Sequence, residues 1–180
     1  MKYTERPEYK LFKALKLGDL AQVGELTQSG ADIHRVTESE QWTYLHKMFT
    51  SLSAEPEDRS SPASVQFLIE QGLDVNAIDS YGNTPLIYAV RQKNLAGMRL
   101  LLTNGADRLI GHWNIEGVDA LKMALQGNPL AYDMVKLLLD FGADPDAKKD
   151  GVRSVREVLQ IFVGIVPEVR ELIGQYTSGE

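Results

Sequence analysis

Three histidines, His34, His46 and His112, are the first candidates for chemistry, and the chain has no cysteine to join them. A zinc site needs three or four clustered Cys, His or carboxylate ligands, and no His here has a second ligand at metal-binding spacing. Without cysteine there is no disulfide framework and no thiol nucleophile. No glycine-rich phosphate loop, nucleophile elbow or kinase signature occurs, and the serines lack local triad context. Four aspartates, Asp32, Asp74, Asp107 and Asp144, each stand two residues after a glycine. Such recurrence suits carboxylates that accept N–H groups in loops better than an acid–base pair. The expectation is therefore a chain with no catalytic, metal or cofactor site, not an enzyme.

The charge balance narrows the partner. The 180 residues carry 19 Lys and Arg against 25 Asp and Glu, a net charge of −6. Binding to a nucleic-acid backbone needs a basic stripe, so nucleic acid is excluded as the expected partner. Residues 1–90 hold 8 basic and 13 acidic side chains, while residues 91–180 hold 11 and 12. A negative front half would steer a partner with a basic surface. The N-terminal Met1–Pro7 segment is polar, without the apolar stretch of a secretory signal, and no apolar run is long enough for a bilayer. The expected location is the cytoplasm, and the expected free state a monomer. The length fits one domain with a core of its own.

The elements that position these residues repeat. Gly30-Ala31-Asp32, Gly105-Ala106-Asp107 and Gly142-Ala143-Asp144 share one tripeptide, with Gly72-Leu73-Asp74 between them. Their glycines are 42, 33 and 37 residues apart, and each follows apolar residues at helical spacing, such as Met98, Leu101 and Leu102. A glycine just past a helix takes the left-handed conformation without a Cβ penalty and stops it. A second signature is clearest in Gly82-Asn83-Thr84-Pro85-Leu86. Thr84 suits the N-cap and Pro85 the first helical position. Each unit thus reads helix, tight loop, helix, glycine stop, extended finger.

This pattern resembles the ankyrin repeat, whose period is 33 residues and whose signature is Thr-Pro-Leu-His-x-Ala. Asp79–Ala89 followed by Leu100–Asp107 fits best. Thr43-Tyr44-Leu45-His46 fills the same slot one unit earlier, and Asp119-Ala120-Leu121 one unit later, with Asp119 able to cap in place of Thr. The resemblance implies an all-α fold: a solenoid of paired antiparallel helices with protruding finger loops. It is read as a single domain over 1–180, with units about 9–34, 35–78, 79–110, 111–149 and 150–176. Gly174, at the same offset from Val158 as Gly105 from Ala89, is expected to be a fifth helix stop. The resemblance also implies that His46 bonds finger backbone.

Two units are long. The excess of the second lies in Thr50–Pro62, which is either a tolerated surface insertion or an acidic lip carrying Glu55, Glu57 and Asp58. The excess of the fourth splits between Arg108–Gly117 and Gly127-Asn128-Pro129. Leu109, Ile110, Trp113 and Ile115 in that finger either pack locally or offer Trp113 as an anchor.

The resemblance implies a non-catalytic protein–protein interaction module, with the partner on the finger tips and on the exposed face of each first helix. Carried over by position, that face holds Glu40 and Trp42; Ser80, Tyr81, Asn83, Arg91 and Gln92; Trp113, Ile115, Glu116, Val118 and Gln126; and Lys149, Asp150 and Val152. Trp42, Tyr81 and Trp113 are expected to form one row of aromatic anchors. A more specific alternative is a cytoplasmic inhibitor, such as a bacterial toxin immunity protein, that masks a basic partner; it rests on size and charge.

Overall fold

The computed structural model describes residues 3–51, 59–126, 132–161 and 167–176. Among them are ten α-helices: α1 (Pro7–Leu17), α2 (Leu20–Gln28), α3 (Tyr44–Met48), α4 (Pro62–Glu70), α5 (Pro85–Arg91), α6 (Leu95–Thr103), α7 (Ala120–Ala124), α8 (Tyr132–Asp140), α9 (Val155–Ile161) and α10 (Pro167–Gln175). No strand forms among the described residues; Lys149 and Val152 make an isolated bridge. The described residues form an all-helical solenoid, as the resemblance implies. Helices α1, α3, α5 and α7 stack into one layer, and α4, α6, α8 and α10 into a second. Within pairs, α1 packs on α2, α3 on α4, α5 on α6 and α7 on α8.

Local chemistry starts three helices of the first layer, α3, α5 and α7. Thr43 accepts from the His46 N–H, Thr84 from Ile87 and Asp119 from Lys122, each the third residue on. Pro85 sits at the first position of α5, where its missing N–H has no helical partner to lose. The outer helices end as the tripeptides require: Gly30, Gly72, Gly105 and Gly142 have φ between 83° and 98°. Gly174 departs from the expected pattern. It lies inside α10 and is not among the positive-φ glycines. Counting from Val158 misplaces the stop because this last pair does not keep the register of the inner ones.

The core between the layers includes Leu11, Leu15, Tyr44, Phe49, Leu68, Leu86, Met98, Leu101, Leu121 and Leu138, all nearly inaccessible. Gly97 lets α6 approach closely: a Cβ there would stand 2.4 Å from the Phe49 ring. Three repeated aspartates do bond their own loops, as Asp32, Asp74 and Asp144 accept from His34, Asn76 and Asp146. After Asp107 the chain takes a different course, a 3-10 turn over Ala106–Leu109 that buries Ala106 and Ile110. The glutamates and aspartate of the expected acidic lip, Glu55, Glu57 and Asp58, lie outside the described residues, as does Gly127-Asn128-Pro129.

Candidate functional site

The fingers set the site. In the second, Asp79 opens a tight turn: its N–H donates to the Asn83 carbonyl, and its Oδ1 accepts from Tyr81 and Asn83 at 2.9 and 2.8 Å. In the third, Asn114 does the same with Val118, its Oδ1 accepting from Glu116 and Val118 at 3.0 and 2.9 Å. Each turn passes through a left-handed glycine, Gly82 or Gly117. The first finger puts Gln41 there, at φ 59°. Adjacent fingers are tied tip to tip, the Ser80 N–H donating to the Glu40 carbonyl and the Ile115 N–H to the Tyr81 carbonyl.

Beneath these tips runs a buried polar network. Asp79 Oδ2 accepts from the Tyr88 hydroxyl at 2.6 Å and the Trp42 indole N–H at 2.9 Å. Asp79 is nearly inaccessible yet has four donors, which is what a buried carboxylate requires. Burial, and next the bond to Asp79, push the Tyr88 phenol up to about 12, so it stays a donor. His46 stands edge-on to Tyr88, with ring centroids 5.9 Å apart. Its Nδ1 accepts from the Thr43 N–H and its Nε2 lies 3.2 Å from the Asn83 carbonyl. That pattern places the proton on Nε2 and bonds His46 to finger backbone, as expected. Burial above all lowers its pKa, favouring the neutral ring.

Between fingers and inner helices lies a cleft of about 410 Å³. Its walls bring together Trp42, Tyr81, Asn83, Arg91, Ile115 and Glu116 from the residues nominated by sequence, and add Thr50, Ile87, Tyr88, Asn114 and Met123. Ile115 is 71% exposed and Tyr81 46%, high values for large apolar side chains. The Arg91 guanidinium lies 4.6 Å from the centre of the Tyr88 ring. Glu40 belongs to a neighbouring cleft with Tyr9, Phe12, Arg35, Glu38 and Lys47. Side-chain hydrogen bonds from Ser39 and Thr37 hold the Glu40 carboxyl below its ordinary pKa. Tyr88 and Lys47 were missed by the sequence reading, although their place four residues after the N-cap in α5 and α3 could have marked them as groove-facing.

Several nominated residues are less exposed than expected or lie outside the cleft. Asn83, Gln92 and Val118, expected on the outward face, are buried at 9%, 6% and 8% exposure. Asn83 is the hub of the finger network, and Val118 closes the Asn114 turn. Gln92 donates to the Ser51 carbonyl at the entrance to the insertion. The single row of aromatic anchors is also corrected. Trp42 immediately precedes its N-cap, Tyr81 lies three residues before Thr84, and Trp113 six before Asp119, so the three occupy different repeat positions. Trp113 is half-buried with the Lys122 ammonium 4.7 Å above its ring and does not line the cleft. Ser80 and Gln126 are exposed, as are Lys149 and Asp150; Val152 is half-buried.

No helix of the described residues is long and apolar enough to cross a membrane. The model of ankyrin repeats in three copies matches residues 11–110 and 59–149. Zygote-specific protein 3 of Chlamydomonas reinhardtii is 33% identical over 127 residues, covering 71% of this chain and 32% of that protein. A palmitoyltransferase of Drosophila melanogaster is 33% identical over 105 residues, covering 56% of the chain but 15% of the enzyme. An ankyrin repeat protein of fowlpox virus is 30% identical over 115 residues, 49% of the chain and 20% of the relative. The chain thus spans about a third or less of the length of these relatives. Ankyrin repeats are protein-interaction modules, typically without catalysis of their own. On the match to the repeat model and the finger geometry together, this chain belongs to the ankyrin-repeat family.

Proposed function

We propose that this chain binds a partner protein in the groove between fingers and inner helices, with Tyr81 and Ile115 as apolar anchors. The observation that carries this is their exposure side by side on the rim of one cleft, linked by the Ile115–Tyr81 backbone bond. Trp42 and Tyr88, tied to Asp79, give that cleft a rigid wall, and a preordered wall loses little entropy on binding. Glu40 and Glu116 stand on the finger side and suit basic groups of the partner, in keeping with the net charge of −6. An inhibitor that masks a basic partner is the finer form of this reading and draws on that charge alone. The absence of cysteine suits a reduced compartment such as the cytoplasm, where the chain would act as a monomer.

A photo-crosslinking residue at Tyr81 or Ile115, with one at the exposed Ala96 of α6 as comparison, tests the face. Adducts to one protein from positions 81 and 115, and not from 96, are expected. Adducts from 96 alone would move the interface to the outer helices.

A further inference from the structure

Two cations on the helix side of the clefts, Lys47 half-buried and Arg91 exposed, contrast with the charge of the whole chain. Lys47, from α3, reaches its cleft with the ammonium 5.4 Å from the Phe12 ring centre and 5.2 Å from that of Tyr44. Arg91, from α5, lies over Tyr88 in the next cleft. Other basic groups nearby are occupied: Arg35 pairs with Glu8, and Lys122 donates to the Arg153 carbonyl. Among the described residues, Lys47 and Arg91 make no ion pair and no hydrogen bond through their charged groups. Ring faces attract a cation but accept none of its hydrogen bonds in the way a carboxylate does. Lys47 is also short of solvent. Its pKa is lowered by burial first and by Arg35 next, against the opposite pull of Glu40 and Glu8.

We propose that the groove takes an acidic segment of the partner protein, one carboxylate meeting the Lys47 ammonium and another the Arg91 guanidinium. This rests on the groove reading above and adds the chemistry of the occupant. Neighbouring units each supply one such cation, so the two clefts form successive subsites. Glu38, Glu40 and Glu116 line the finger side of the same clefts, which leaves the partner's basic groups that edge and its acidic ones the helix edge. A nucleic acid fits poorly: two separated cations on a chain of net charge −6 do not make the basic stripe a phosphate backbone needs.

The test selects peptides from a random displayed library on the intact chain and measures their affinity by fluorescence polarisation. An Asp- and Glu-rich consensus is expected. Lys47→Met and Arg91→Met should each weaken the selected peptides about tenfold, the scale of one charged hydrogen-bonding group. Lys47→Arg should keep most of the affinity, and circular dichroism should show all variants folded. A selection without an acidic consensus, or peptides that bind both Met variants as tightly as wild type, overturns the carboxylate subsites. Loss on Tyr81→Ala and Ile115→Ala with no change in the Met variants removes this inference and leaves the groove reading standing. Insensitivity to all four removes both.

Discussion

The second and third fingers make the same turn with different residues, Asp79 in one and Asn114 in the other. In both, one side-chain oxygen accepts the N–H groups two and four residues on. The other side-chain atom differs. Asp79 has a second oxygen, which only accepts, and the molecule meets it with the Trp42 indole and the Tyr88 hydroxyl. Asn114 has an amide nitrogen, which donates to Asn83 Oδ1 at 2.9 Å. The turn needs one acceptor; the remaining atom decides which neighbour the finger is tied to, and whether that tie builds a rigid aromatic wall.

The sharpest way to break the comparison is Asp79→Ala. It removes two turn bonds, leaves the buried Tyr88 hydroxyl without its acceptor and leaves the Trp42 indole only its 3.2 Å bond to the Tyr88 oxygen, so a loss of about 3–5 kcal/mol is expected. Asn114→Ala should cost roughly half that, since it leaves fewer buried donors unpaired. Urea unfolding of both variants checks the ratio; equal midpoints would mean the Asp79 network adds nothing to the turn.

A smaller effect distinguishes the finger glycines. At Gly82, φ is 75° and a Cβ would stand 3.1 Å from Asn114 Cα and the Ile115 nitrogen, both backbone. At Gly117, φ is 71° and the nearest atom is a Val152 methyl at 3.2 Å, which can turn aside. Gly82→Ala should therefore destabilise by about 2–3 kcal/mol and Gly117→Ala by about 1 kcal/mol. Thermal melts that order the two the other way would place the tight approach between different fingers.

The smallest effect is one of pH. His46 donates to the second finger at Asn83, whereas Ile87, its counterpart in α5, has no polar group to offer the third; Lys122, the counterpart in α7, donates to the Arg153 carbonyl of the fourth. Because its folded-state pKa lies below the ordinary 6.5, the unfolded chain binds the proton more tightly. Stability from this group is full above pH 6.5 and declines as pH falls below it, with a slope of at most about 1.4 kcal/mol per unit. The lowered carboxyls of Glu40, Asp140 and Glu157 act only below their own ordinary range near 4. Between pH 6.5 and 5, His46→Gln should flatten the stability profile; a profile unchanged from wild type would assign the slope to another group.

Much of the fold is legible because its signals are local. A Thr or Asp before an inner helix, a Pro at its first position and a glycine after an outer helix act within a few residues, so Thr84, Pro85 and Gly105 could be read one by one. Gly174 shows the limit: an offset carried over from other units assumes a register that the last pair does not keep. The site was legible only in part. Tyr81, Arg91, Ile115 and Glu116, nominated from repeat position, line the cleft; Gln92 and Val118, nominated in the same way, are buried away from it, and Asn83 is buried in its wall.

The sequence by itself determined the repeat, its helix starts and stops, and the absence of a thiol, since each depends on residue type and short-range backbone geometry. Tertiary structure alone decided which outward positions form a groove. Trp42 enters the wall because Asp79, 37 residues later, accepts its indole proton. Trp113 leaves the row because Lys122 covers its ring. Lys47 and Arg91 lie against aromatic rings because stacking puts Phe12, Tyr44 and Tyr88 beside their charges. These are contacts between units, set by stacking, and no pattern within one unit encodes them.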